Sequence, residues 1–244
     1  EIQKPYITVK TKNNAEGTPI TDFVNTRSIF KLTPDGTSGV SFGGTVLNDS
    51  IIGTQYSDDL WGNEGNDTIL AGKGNDQIED KSGNNTIIAG EGDDIINITW
   101  GGEGNDNTYI FNKGDGIDTL TNSNYHSHAT LKFDILSYDE INFEYNVHDY
   151  ALTIQYGNQN SKVIINNFKI NNEFVNIKVQ DIAGNLSQKT IGELLENKGI
   201  YLPVEYTGTI TGSSGNDILY GSYTYSTLIG GTGNDSLIGS YNAN

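Results

Sequence analysis

The sequence predicts an all-β protein assembled mostly from short stacked repeats, and three observations carry that reading. Residues 44 to 118 repeat themselves every nine positions. Residues 119 to 206 carry runs of β-branched and aromatic residues separated by Asn, Gly and Asp turns, as an antiparallel sheet does. The nine-residue pattern then returns at Gly212 and runs to the last residue.

The fullest copy, Gly62-Asn-Glu-Gly65-Asn-Asp67-Thr-Ile69-Leu70, has six loop residues followed by three strand residues. Counting in nines, one loop position holds Asp49, Asp58, Asp67, Asp76, Asn85 and Asp94, then Asp106 and Asp115 after a three-residue insertion at Ile98 to Trp100. Two places further on stand Ile51, Leu60, Ile69, Ile78, Ile87 and Ile96. A Gly- and Asn-rich linker has no reason to keep an aliphatic residue in register.

This run resembles the RTX nonapeptide, glycine-glycine-x-glycine-x-aspartate-x-aliphatic-x, of the hemolysin-type calcium-binding family. The resemblance implies a parallel β-roll in which two nonapeptides make one turn. Calcium would sit between loops stacked on one edge, eighteen residues apart. The implied pairs are Asp49/Asp67, Asp58/Asp76, Asp67/Asn85 and Asp76/Asp94. Backbone carbonyls of the Gly-rich loops, at Gly62, Glu64, Gly65, Lys73, Gly74, Gly92, Gly101 and Gly104, would complete the ligand sets. Asp106 and Asp115 extend the series, and Asp217 and Asp235, again eighteen apart, form one pair in the later array.

Elementary chemistry supports the same ion. Calcium takes six to eight oxygens, and a carboxylate with several carbonyls from a tight turn supplies them. The aliphatic residue after each Asp points opposite to its neighbours and fills a thin interior. A single nonapeptide buries nothing, so stacking provides the core. The first two loops carry Leu47 and Tyr56 where a glycine belongs, so those sites are expected to be weaker; Asn85 is a neutral ligand, and Asp80 and Ala89 replace leading glycines.

Charge follows the repeats. The 244 residues carry −17, and residues 44 to 118 alone hold fifteen acids against three lysines. Such a cluster repels itself unless a divalent cation intervenes. The chain has no basic patch that would suit nucleic acid. It has no cysteine, which removes disulfides and thiol chemistry. No apolar run long enough to span a bilayer (on the order of 18 residues) and no amino-terminal signal peptide is visible. A start at Glu1 and an array that stops mid-repeat are expected of a piece of a longer chain.

The predicted organisation has four parts. Residues 1–43 form a flanking or capping segment with strands at Tyr6 to Lys10 and Ser28 to Leu32. Residues 44–118 form the roll. Residues 119–206 resemble the module that follows RTX arrays, an antiparallel sheet that caps the roll. It carries one helix, in which Thr190 and Glu193 make a capping box, Ile191, Leu194 and Leu195 an apolar face, and Gly199 a stop. Residues 207–244 begin a second roll. Strand parity puts Ser50/Ile52, Thr68/Leu70 and Thr86/Ile88 on one outer face and Asp59/Trp61, Gln77/Glu79 and Ile95/Asn97 on the other. Residues 1–43 or the following module are expected to cover the aliphatic ladder Ile52, Leu70, Ile88.

Catalytic patterns are missing: there is no His-Glu-x-x-His helix, no Gly-x-Ser-x-Gly elbow, and the Gly-rich loops lack the Lys-Ser/Thr of a phosphate loop. His126 and His128 could serve zinc only with a third ligand that the sequence does not offer. The expected function is that of a non-enzymatic calcium module in a large secreted or surface protein of toxin, adhesin or surface-layer type. Further repeats of the parent chain, a host surface and the type I export machinery are its implied partners. The alternative is an adhesive module whose 119–206 tyrosines stack on glycans.

Asp76 belongs to two implied pairs, whereas Asp49 lies in a glycine-poor loop at the start of the array. Asp76→Ala is therefore expected to lower calcium stoichiometry and cooperativity more than Asp49→Ala, by calorimetric titration at one salt concentration.

Overall fold

The structure, a computed structural model, describes residues 7–10, 27–34, 36–98, 106–122, 128–157, 160–168, 178–202, 208–221 and 226–239. In chain order the first strands are β1 (Ile7–Lys10), β2 (Arg27–Thr33), β3 (Ser41–Gly43), β4 (Asn48–Ile52), β5 (Asp59–Trp61), β6 (Thr68–Lys73), β7 (Gln77–Asp80), β8 (Thr86–Glu91) and β9 (Ile95–Ile98). From β2 on they alternate between two sheets, β1-β2-β4-β6-β8 and β3-β5-β7-β9, with every pairing parallel.

The register is the repeat itself. Ile51 pairs with Ile69 and Ile69 with Ile87, while Leu60 pairs with Ile78 and Ile78 with Ile96, each step being eighteen residues. All six are buried and face one another across the two sheets. One aliphatic residue per strand is enough to fill so thin a core, because the side chains on either side of it point out.

The roll continues beyond the nonapeptides. β10 (Asp106–Phe111), β12 (His128–Phe133) and β16 (Lys178–Asp181) add to the first sheet in parallel, and β11 (Ile117–Asn122) and β15 (Lys162–Asn166) add to the second. The expected antiparallel pairing is confined to the outer strands. β13 (Asn142–Asn146) pairs with β14 (Ala151–Gln155), β14 with β15, and β16 with β17 (Lys189–Thr190). An alternating strand reads alike in either orientation, so connection length and stacking decide. The boundary placed at Asp118 falls inside β11.

Both ends of the core are closed by larger side chains. Phe30 and Phe42 meet at 4.9 Å under the first turns. Phe111, Phe133 and Tyr156 pack at 4.8 to 6.3 Å under the last. Tyr156, fully buried, donates its hydroxyl to the Asn112 carbonyl at 3.1 Å, so its polar end is satisfied.

The predicted helix is present as α1 (Ile191–Asn197). Thr190 Oγ1 accepts from the Glu193 amide, the Glu193 carboxylate accepts from the Thr190 amide, and Ile191, Leu194 and Leu195 are buried. Beyond it, β18 (Ile200–Tyr201), β20 (Ile218–Tyr220) and β22 (Ser236–Ile238) form one small parallel sheet, and β19 (Gly208–Thr211) and β21 (Ser226–Ile229) another. This second roll starts on the helix: the Gly199 carbonyl accepts from the Ile218 amide at 2.8 Å, and Tyr220 lies edge-on to Tyr145, centroids 5.6 Å apart.

The outer faces have the predicted parity. The Ile52, Leu70, Ile88 ladder extends to Ile110 and ends on Lys31 and Lys132, and its members are half-buried. Among the described residues, the segments expected to cover this ladder instead prolong its sheet, as β1, β2, β12 and β16.

Candidate metal centre

Stacking in steps of eighteen places each loop against the loop one turn away, and the slot residues form two files. In one file Asp58 donates its backbone N–H to Asp76 Oδ1 (2.7 Å), Asp76 to Asp94 Oδ1 (2.7 Å), and Asp94 to Asp118 Oδ1 (3.2 Å). In the other, Asp49 donates to Asp67 Oδ1 (2.7 Å), Asp67 to Asn85 Oδ1 (2.7 Å), and Asn85 to Asn107 Oδ1 (2.9 Å). All four expected pairs are thus brought together. In the second roll Asp217 donates to Asp235 Oδ1 at 3.1 Å.

Two sequence assignments are corrected. The slot is held by Asn107 and Asp118, not by Asp106 and Asp115. Asp106 is exposed, and its amide donates to Asn84 Oδ1 in an outer file of residues that each precede a slot. Asp115 is buried, but its Oδ2 accepts from the Asn112 amide and side chain, and its carbonyl accepts from the Gly92 amide. Four extra residues between β9 and β10 make the step 22 on one edge, and two more between β10 and β11 make it 24 on the other. A signal for Asp118 was present, because the buried aliphatic Leu120 stands two places after it. Tyr109 stands likewise two places after Asn107, and its aromatic side chain hid the match.

Glu64 and Lys73 are exposed, and Lys73 Nζ pairs with Glu91 Oε2 at 2.6 Å, so Lys73 could serve an ion only through its carbonyl. Gly62, Gly65, Gly74 and Gly92 lie in the stacked loops as expected. Gly101, Gly104 and His126 lie outside the described residues.

Electrostatics shows what these files lack. Asp49, Asp58, Asp67, Asp76, Asp94 and Asp118 are all within 1% of complete burial. The Oδ2 atoms of Asp76, Asp94 and Asp118, and Oδ1 of Asp49, are buried without a hydrogen-bond partner. Burying a carboxylate costs free energy unless a charge or donor meets it. Desolvation, with neighbouring carboxylates adding to it, pushes Asp76 and Asp118 up to about 8 and Asp94 up to about 6. Asp58 and Asp115 are raised by the same burial.

The chemistry of these groups fits calcium. Hard carboxylate oxygens in need of a partner stand in both files, at Asp49 in one and at Asp76, Asp94 and Asp118 in the other. The backbone between them is packed too tightly for side chains: a Cβ on Gly90 would lie 2.0 Å from the Gly72 carbonyl oxygen, so that oxygen faces only glycine. Gly72 itself has φ +122°, a conformation glycine tolerates. Among the described residues no three acidic or histidine side chains converge as a ligand group, so carbonyls must supply most of the coordination. Asp76, Asp94 and Asp118 would hold ions on one edge, and Asp49 with Asp67 on the other. The ion would supply the positive charge that allows these carboxylates to stay ionised while buried.

The family comparison agrees with this geometry. Residues 43–78, 71–108, 206–224 and 226–243 match the RTX calcium-binding nonapeptide repeat, in four copies. These stretches are RTX calcium-binding repeats, stacked as a β-roll. No curated protein sequence matches the chain. Among solved structures, the crystal structure of extracellular lipase LipA from Serratia marcescens aligns over 68% of this chain and 41% of its own, with 15% identity and a TM-score of 0.30. The chain therefore spans less than half the length of that relative.

Two outcomes are expected. Because the pKa values of Asp76, Asp94 and Asp118 are raised in the folded, metal-free state, that state holds protons which the unfolded chain has released. Its stability must then fall as pH rises from the ordinary carboxylate range through about 6 and about 8. Metal-free chain should gain β-structure by circular dichroism when acidified from pH ~8.5 to ~5.5, and calcium affinity should weaken over the same interval as protons compete. Separately, Asp118→Ala should lower calcium stoichiometry although residue 118 lies beyond the matched repeats, whereas Asp106→Ala should leave it unchanged.

Proposed function

We propose that the chain is a calcium-triggered folding module of a secreted or bacterial cell-surface protein of toxin, adhesin or surface-layer type. The observation that carries this is the file of buried carboxylates whose free oxygens require a cation. The repeats bind calcium; what calcium binding achieves is the proposed part. In a calcium-poor cytosol the acidic array resists collapse and the chain stays extended, a state suited to passage through a narrow type I channel. Outside the cell, calcium neutralises the files and the roll closes.

No helix among the described residues is long and apolar enough to cross a membrane. Export, the parent protein's further repeats and a host surface complete the proposed setting. We assign the module no catalysis of its own, since the carboxylates best placed for acid-base chemistry are committed to the files. The adhesive alternative relied on tyrosines of the 119–206 module, and two of them, Tyr145 and Tyr156, are buried with their hydroxyls donating to backbone carbonyls.

Circular dichroism with calcium added to chelator-treated chain tests the proposal. The β signal should be largely lost at neutral pH and low salt without calcium, and return with a midpoint of ~10⁻⁴ to 10⁻³ M, the range of carbonyl-rich extracellular sites. A full β signal in chelator, or a nanomolar midpoint, would overturn it.

A further inference from the structure

Among the described residues, the loops that end on a slot aspartate fall into two backbone classes, divided at their second residue. In one class this residue is left-handed: Asn63 (φ +74°), Gly72 (+122°), Gly90 (+104°) and Gly231 (+100°). In the other it is Thr45, Thr54 or Ser213, none of which has a positive φ. The difference reaches the slot carboxylate four residues on. The Thr54 amide donates to Asp58 Oδ2 at 2.6 Å and the Thr54 hydroxyl to Asp58 Oδ1 at 3.0 Å. The Ser213 amide donates to Asp217 Oδ2 at 2.6 Å, and its hydroxyl lies 3.1 Å from each Asp217 oxygen. The Thr45 amide and hydroxyl both meet Asp49 Oδ2 and leave its Oδ1 unmet.

The consequence is visible in which oxygens remain unmet. Asp76 and Asp94, behind Gly72 and Gly90, each keep a buried Oδ2 without a partner. Asp58 and Asp217 are as deeply buried, at 1% and 2% exposure, yet both oxygens of each accept hydrogen bonds. Asp49 is intermediate, with Oδ2 met by Thr45 and Oδ1 unmet. A glycine at the second position has no hydroxyl to turn inward, and its left-handed backbone points the loop amide elsewhere.

We infer that the second loop residue decides which loops take calcium: a Thr or Ser whose amide and hydroxyl meet both oxygens closes the loop on its own carboxylate, and a left-handed Gly leaves the carboxylate to the ion. The residue acts as a specificity determinant, because its hydroxyl and amide occupy the lone pairs that calcium would otherwise use. The fully closed loops stand near the start of each array, at Thr54 in the first and Ser213 in the second. Each array therefore has an early loop that needs no metal beside the calcium-dependent ones. The inference rests on the calcium reading above.

The test is calorimetric titration with calcium chloride of the whole chain and its variants, β content in saturating calcium being checked for each. The Ser213 loop already has Gly212 and Gly215 around its second residue, so Ser213→Gly alone opens it. That variant should bind one more calcium ion per chain than wild type, whereas Ser213→Thr should match wild type. In the first array the loop also lacks its inner glycine, and the double variant Thr54→Gly/Tyr56→Gly should likewise gain one ion. Wild-type stoichiometry in both opened variants, with β content retained, would overturn the inference, as would an extra ion in Ser213→Thr. If Ser213→Gly does not fold, the double variant decides, since it lies in the other roll. Failure of wild type to bind calcium at all would instead remove the underlying function, and is seen before any variant is made.

Discussion

The arrangement depends on the burial of ionised carboxylates in files. Along each file a slot residue donates its backbone amide to the side-chain oxygen of the Asp or Asn one turn along, and that bond fixes the register from which strand pairing and core packing follow. The same bond commits only one oxygen of Asp76, Asp94 or Asp118. A second oxygen is left in a place water does not reach. Hydrophobic burial in this roll is thin, one aliphatic residue per strand, so it cannot absorb the cost of several charges held close together. The fold is thus tied to whatever neutralises the files, protons at low pH or a hard cation near neutrality.

The ends of the roll are handled by different means. At the start, Phe30 and Phe42 plug the core, and Val40 copies a slot residue by donating its amide to Asp58 Oδ1 at 2.7 Å. At the far end the stack passes to strands without the nonapeptide pattern, and the antiparallel β13–β14 hairpin pairs with β15. An open parallel edge recruits other strands, and a reversal of direction is one way to finish it. The helix gives the second roll a start of the same sort, with Gly199 presenting the carbonyl that Ile218 requires.

Much of this was legible in the sequence, because a period of nine with an acid and an aliphatic two residues apart leaves few alternatives. The six core aliphatics, the four stacked pairs, the outer-face parity and the capped helix are all read from single residues. The sequence misled where the period broke. Asp115 and Ile117 satisfy the acid-x-aliphatic rule as well as Asp118 and Leu120 do, and only the stacking of Gly116 on Gly92 chooses between them. Pairing direction after Asp118 was also hidden, since Val163, Ile165 and Leu131 alternate equally well in either kind of sheet. The satisfied state of Asp58 depends on a hydroxyl contact four residues away within one loop, which composition does not report.

The parallel stacking has a mechanical meaning. Each turn touches only the turns beside it, so tension applied along the roll axis at one end loads a single turn at a time. The molecule resists such a pull with the strength of one rung, not of the whole ladder. A transport device holding one terminus could therefore strip or release turns in succession with a small, steady force. Under the export proposed above, a chain delivered gradually into calcium would lay down each turn as it arrives, and the emerging stack would act as a ratchet against backsliding.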